Sequence, residues 1–107
     1  DRLAGKDVYL ENCVGCHSIG CHRAGPKLDG LIGRAAGTLA DYDGYSAAMK
    51  NSGIVWNEGT LDAFLADPAT YVPENAMASF GRVEDPGKRR DLIAFLVEPD
   101  TSLDLCF

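Results

Sequence analysis

The residues that can do chemistry are Cys13, Cys16 and His17, in the run CVGCH. Two thiols at this spacing can each form a thioether to one of the two vinyl groups of a haem. The adjacent imidazole can then turn under the iron as its proximal ligand. Four Cys and two His are scattered over 107 residues. At that frequency the motif arises by chance in on the order of three such sequences in a thousand. The competing chemistries are weaker. A zinc site needs a second pair of ligands, and only Cys21, His22 and Cys106 remain. A thioredoxin-like pair expects a βαβ context, which the sequence does not offer. Cys16 with Cys21 and His22 makes a wider overlapping motif, but it shares Cys16 and the chain is short for two haems. One covalent haem c is the expectation.

A haem used for electron transfer normally takes a second protein ligand, and a soft thioether there favours the ferrous state. The chain has two methionines. Met77 lies in YVPENAMASFG, an irregular segment restricted by Pro73, and is the expected sixth ligand. Met49, in SAAMKN, lies on an expected helix and reads as core filler. His22 is the remaining alternative ligand. No acid–base or nucleophile constellation stands out, so the chain does not read as an enzyme.

These residues must be positioned by short elements. A first helix is expected over 5–13, where Val8, Tyr9, Asn12 and Cys13 share a helical spacing. Residues 20–45 are Gly-rich without a sustained period and read as a long loop, of the kind that wraps a ligand. A short helix is expected over 46–51. Another follows Asn57, a good cap, and carries Leu61, Phe64 and Leu65. Pro68 suits the first position of a further turn. Asp85 and Pro86 open the last helix, with Leu92, Ile93, Phe95 and Leu96 as its apolar stripe. The fold class is all-α: about five short helices and long loops around one haem, with no sheet, in a single domain over 1–107.

The bulk properties agree. Composition is 46% hydrophobic and 24% charged, ordinary for a globular chain. Sixteen acidic against ten basic residues give a net charge of −6. Such a surface repels phosphate backbones and anionic lipid, which argues against nucleic acid or a membrane surface as partner. No apolar run has the length of a membrane span. The start at Asp1 reads as a mature or trimmed form from which a secretory peptide has been removed.

At this point the sequence resembles a class I cytochrome c, of the mitochondrial and bacterial cytochrome c2 kind. GKDVYLENCVGCH is similar to that family's first helix and haem site, and HRAGPKLDGLIGR to the loop that follows. YSAAMKNSGIVWNEGTLDAFLADPATYVPENAM is similar to the middle and the Met loop, and DLIAFL to the final helix. The resemblance implies that Gly5 and Tyr9 meet Leu92 and Phe95 where the terminal helices cross. It implies that the Pro26 carbonyl accepts from His17, and that Arg34, Tyr45 and Trp56 donate around a buried haem propionate. A buried carboxylate needs such partners in any case, although Tyr45 and Trp56 also fit plain core packing. His22 matches a histidine that pins two loops together.

The family function implied is a monomeric single-electron shuttle. It runs from a bc1-type donor to a terminal oxidase, a photosynthetic reaction centre or a reductase, in the periplasm or else the mitochondrial intermembrane space. There are departures. The loop from His17 to Pro26 is shorter than in the mitochondrial protein. Phe64 stands where that protein has a Tyr, and Met49 replaces an internal polar residue; both make the haem side more apolar. Ala69, Thr70 and Ala76 stand where it has lysines around the haem edge. Lys27, Arg82, Lys88, Arg89 and Arg90 remain.

Two cysteines are left over. Unpaired thiols are unusual in an oxidising compartment, so a Cys21–Cys106 disulfide is expected. It would stabilise by roughly 3–5 kcal/mol on the chain-entropy argument. A pair of buried or reactive thiols is the alternative.

Overall fold

The computed structural model describes residues 1–75, 77 and 82–99. Cys106 and Ala76 lie outside them, so the expectations placed on those two residues do too. Five helices are present among the described residues: α1 (Arg2–Asn12), α2 (Ala47–Lys50), α3 (Glu58–Ala66), α4 (Pro68–Tyr71) and α5 (Pro86–Val97). No strand forms there. Among the described residues, one isolated antiparallel bridge joins Ala35 to Val55.

α1 begins earlier than its apolar spacing predicts. Asp1 is the reason: its carboxylate accepts from the Ala4 amide at 2.8 Å and satisfies a donor that the first turn would leave open. α3 starts at the expected cap. Asn57 accepts from the Thr60 amide, and Thr60 Oγ1 accepts from the Asn57 amide, both at 2.9 Å, a reciprocal box that closes the N-terminus. Pro68 opens α4 and Asp85 caps α5 with Pro86 behind it.

α1 and α5 cross in close contact. A Cβ on Gly5 would fall 1.8 Å from the Asp91 carbonyl oxygen and 2.9 Å from Phe95 Cβ. Only a residue without a side chain allows this approach. One turn along, Tyr9 packs on Phe95 with ring centroids 5.2 Å apart, and Tyr9, Leu92 and Phe95 are fully buried. The Asp1 amino group pairs with the Asp91 carboxylate across the same crossing.

α3 is tied to α5 by Arg89. Its Nε donates to Asp62 at 2.8 Å, and its Nη1 donates to the carbonyls of Val83 and Glu84 at 3.0 and 2.8 Å. Residues 33–36 zip onto 54–56. Gly33 donates to the Trp56 carbonyl at 2.7 Å, Trp56 to Arg34 at 2.9 Å, and Ala36 to Ile54 at 2.8 Å. This pairing puts Arg34 and Trp56 side by side, which no local spacing announces.

Candidate functional site

α1 ends at Cys13, and the chain continues in a tight turn. Cys16 and His17 both donate their amides to the Cys13 carbonyl, at 3.1 and 2.9 Å. One carbonyl thus gathers the motif, and Cys13, Cys16 and His17 all line one cavity of about 340 Å³. That volume falls within the ~300–1,000 Å³ common for cofactor sites.

His17 is buried, and its Nδ1 lies 2.8 Å from the Pro26 carbonyl. A carbonyl can only accept, so Nδ1 carries the proton and Nε2 keeps its lone pair. Burial pushes the imidazole's pKa down. The Pro26 bond opposes this, and the nearby Arg23 guanidinium adds to it. A neutral ring with a free Nε2 is the form that binds a metal. Gly25 lies flat against this ring: a Cβ there would sit 2.3 Å from His17 Cε1. Burial, aided by the neighbouring Cys16, pushes the unmodified Cys13 thiol up to about 12.

The cavity wall is mainly apolar. Leu28 and Leu31 come from the long loop, Leu61, Phe64 and Leu65 from α3, and Leu92 and Leu96 from α5. Met77 lines it as well, half-buried, with its amide donating to Asn75 Oδ1 at 2.6 Å. Met49 packs against the core, as its filler reading expects, and also lines this wall from α2.

Polar groups collect at Arg34, Tyr45 and Trp56, which line the same cavity. Arg34 spends Nη1 on the Lys27 carbonyl at 3.0 Å and Nη2 on the Asp29 carbonyl at 2.6 Å. Burial lowers its pKa, while Tyr45 and Asp29 counter that by charge and Tyr45 also by a side-chain hydrogen bond. A half-buried cation on an apolar wall favours an anion beside it. Trp56 meets Phe64 edge-on, with centroids 5.2 Å apart, so it packs as well as lining the cavity.

His22 does not line the cavity. Its Nδ1 accepts from the Lys27 amide at 3.1 Å and its Nε2 lies 2.9 Å from Asp41 Oδ1. It joins the turn at 22–27 to the loop at 41, and neither it nor Cys21 reaches the site, so the wider overlapping motif plays no part in this cavity.

Three residues of the site are not evident from the sequence. Tyr42 lines the cavity, donates to the Ala24 carbonyl at 2.6 Å and stacks edge-on against Tyr45 at 4.7 Å. Asn75 and Gly25 hold the backbone at Met77 and against His17. A Gly-rich loop gives no period from which Tyr42 or Gly25 could be found. Asn75, two residues before Met77 in a Pro-led turn, is the one with a usable signal.

A haem fits this arrangement: the thiols and the Nε2 lone pair share one cavity, its walls are mainly apolar, and Arg34 puts a cation on its lining.

The family model of cytochrome c matches residues 3–98. A cytochrome c from Cannabis sativa is 41% identical over 101 residues, covering 92% of this chain and 89% of that protein. Cytochrome c 2.1 of Caenorhabditis elegans is 41% identical over 106 residues, covering 96% and 94%. Among solved structures, cytochrome cH from Methylobacterium extorquens superposes with a TM-score of 0.84 at 38% identity. That match covers 91% of this chain and 97% of the other.

Proposed function

The chain belongs to the cytochrome c family, and from that premise we propose that it shuttles single electrons on one covalent haem c ligated by His17 and Met77. The observation that carries this reading is that Cys13, Cys16, His17 and Met77 all line one apolar cavity. The haem, when bound, supplies the one-electron chemistry.

The chain's own residues supply attachment and tuning. Cys13 and Cys16 hold the group by thioethers. Pro26 keeps the proton on Nδ1 of His17, so Nε2 stays a ligand and gains basicity. The apolar wall, with Phe64 and Met49 in it, excludes water and disfavours extra charge, which raises the reduction potential. Arg34, Tyr45 and Trp56 act as donors for a buried propionate. A saturated iron needs no substrate pocket, so the role is carriage and not catalysis.

The partners in this reading are membrane redox complexes: a bc1-type donor and an oxidase, reaction centre or reductase as acceptor, each met transiently by a monomer. The compartment is the periplasm, or the mitochondrial intermembrane space. No described helix is long and apolar enough to cross a membrane. The Cys21–Cys106 disulfide belongs to the same proposal. Cys13 and Cys16 are the free thiols among the described cysteines, and Cys21 is not without a partner. Alkylation of native protein should find no reactive thiol at Cys21 or Cys106; two alkylated cysteines there would remove the bond.

The test is a pair of absorbance spectra, oxidised and reduced, with and without carbon monoxide. A reduced low-spin c-type spectrum that ignores carbon monoxide is expected. Rapid carbon monoxide binding at neutral pH would show that Met77 does not hold the sixth position, and a ligand-binding haem protein would replace the carrier.

A further inference from the structure

Asn75 is a polar side chain only 5% exposed, in the segment that delivers Met77. It does not itself line the cavity. Its Nδ2 donates to the carbonyls of Pro68 and Val72, both at 2.7 Å, and its Oδ1 accepts the Met77 amide at 2.6 Å. Three backbone points are thus fastened by one side chain: the first residue of α4, the residue that ends it, and the backbone of Met77. Pro68 is fully buried and follows α3, whose Phe64 and Leu65 line the cavity. The anchor is therefore firm at the α4 end.

The clamp sits where the chain needs one. Glu74, immediately before it, has φ +65°, a left-handed conformation that costs an ordinary side chain of order 1 kcal/mol or more. Local preference would not hold this reversal, so something else must. The amide of asparagine suits the place because it offers two donors and an acceptor on one planar group. Aspartate would lose both donors and bury a charge. Serine is too short to span the three points.

We infer that Asn75 is the positioning residue for Met77, fixing how the thioether approaches the iron and how readily the Met77 side opens to an outside ligand. This rests on the reading of Met77 as the sixth ligand. The clamp acts through the Met77 backbone, so its loss frees the loop without touching Cys13, Cys16 or His17.

The experiment uses ferric holoprotein and imidazole as the entering ligand, with the weak far-red band of thioether-ligated ferric haem as a second readout. Asn75→Ala is compared with Val8→Ala, a core truncation in α1 that lowers global stability away from the loop. Asn75→Ala is expected to admit imidazole at least roughly tenfold faster, the equivalent of about 1.4 kcal/mol, and to weaken the band. Val8→Ala should leave both unchanged. Unaltered entry in Asn75→Ala, or equal acceleration in both variants, overturns the inference while the native band keeps Met77 as ligand. Absence of the band from native protein overturns both readings together. If Asn75→Ala does not hold haem, amide exchange in native holoprotein decides: a strongly protected Met77 amide supports the clamp, and an unprotected one overturns it.

Discussion

Gly25 and His17 meet face to face, with the backbone of one lying against the imidazole of the other. The contact is so close that a Cβ on Gly25 would be 2.3 Å from Cε1, 2.6 Å from Nε2 and 2.7 Å from Nδ1. The Gly25 amide also donates to the Cys16 carbonyl at 2.7 Å. The segment that presents the Pro26 carbonyl is therefore pressed onto the ring and tied to the attachment motif at once. Ring orientation, tautomer and thiol placement are set by a single local packing.

Gly25→Ala should break this arrangement. The ring or the loop must shift, and the Nδ1–Pro26 bond at 2.8 Å is lost or lengthened. The expected outcome is poor recovery of holoprotein, with any product less stable by roughly 1–3 kcal/mol, the range for overpacking. Haem content and urea unfolding measure both.

Gly5→Ala tests the helix crossing. A methyl group 1.8 Å from the Asp91 carbonyl oxygen cannot be accommodated while α1 and α5 stay in contact. Destabilisation of about 3 kcal/mol or more is expected, at the upper end of overpacking costs, read as a fall in Tm. An unchanged Tm would mean that the helices pack differently.

Glu74→Gly should stabilise. Glu74 is exposed and holds φ +65°. Glycine removes the strain there, although it also frees the unfolded chain. Relief of ~1–2 kcal/mol less a backbone-entropy cost of ~0.5–1 kcal/mol leaves a small net gain, read as a higher denaturant midpoint, with the redox spectrum unchanged.

Asp41 gives an acid-side prediction. Its carboxyl pKa is held below the ordinary value, chiefly by the hydrogen bond from His22. A depressed carboxylate pKa contributes stability above its unfolded value, near ~3.9. That contribution is lost as pH falls through the folded value. Asp41→Asn should therefore flatten the stability curve on the acid side and leave its shape at neutral pH unaltered. Unfolding followed from neutral pH down to strong acid would show it.

The surface charges predict a shallow salt dependence. Ala69 and Thr70 are exposed on α4, where the mitochondrial protein has lysines. Of the remaining cations, Arg89 is held by Asp62 and Arg82 lies 3.7 Å from Glu84. Fewer free positive charges are left to steer an acidic partner. Electron-transfer rates with a redox partner should fall less steeply with ionic strength than those of a lysine-ringed carrier. A steep fall with salt would contradict this.

The CVGCH motif, the all-α class and the starts of α3, α4 and α5 are legible in the chain alone, and the start of α2 to within one residue. Each of these is written in adjacent or regularly spaced residues: CVGCH within one turn, Asn57 and Asp85 as caps, Pro68 and Pro86 at first helical positions. The start of α1 is not legible from apolar spacing, because Asp1 caps the helix several residues before that spacing begins. What gathers around the cavity follows from packing between distant parts of the chain. Arg34 and Trp56 are brought together by the 33–36 and 54–56 pairing, and Tyr42 by its bond to Ala24. Asn75 matters through carbonyls at Pro68 and Val72 that become reachable only once α4 and the reversal at Glu74 have formed. Local signals encode where a helix begins; a cavity is made by residues far apart in the chain, and their meeting depends on the whole chain's packing.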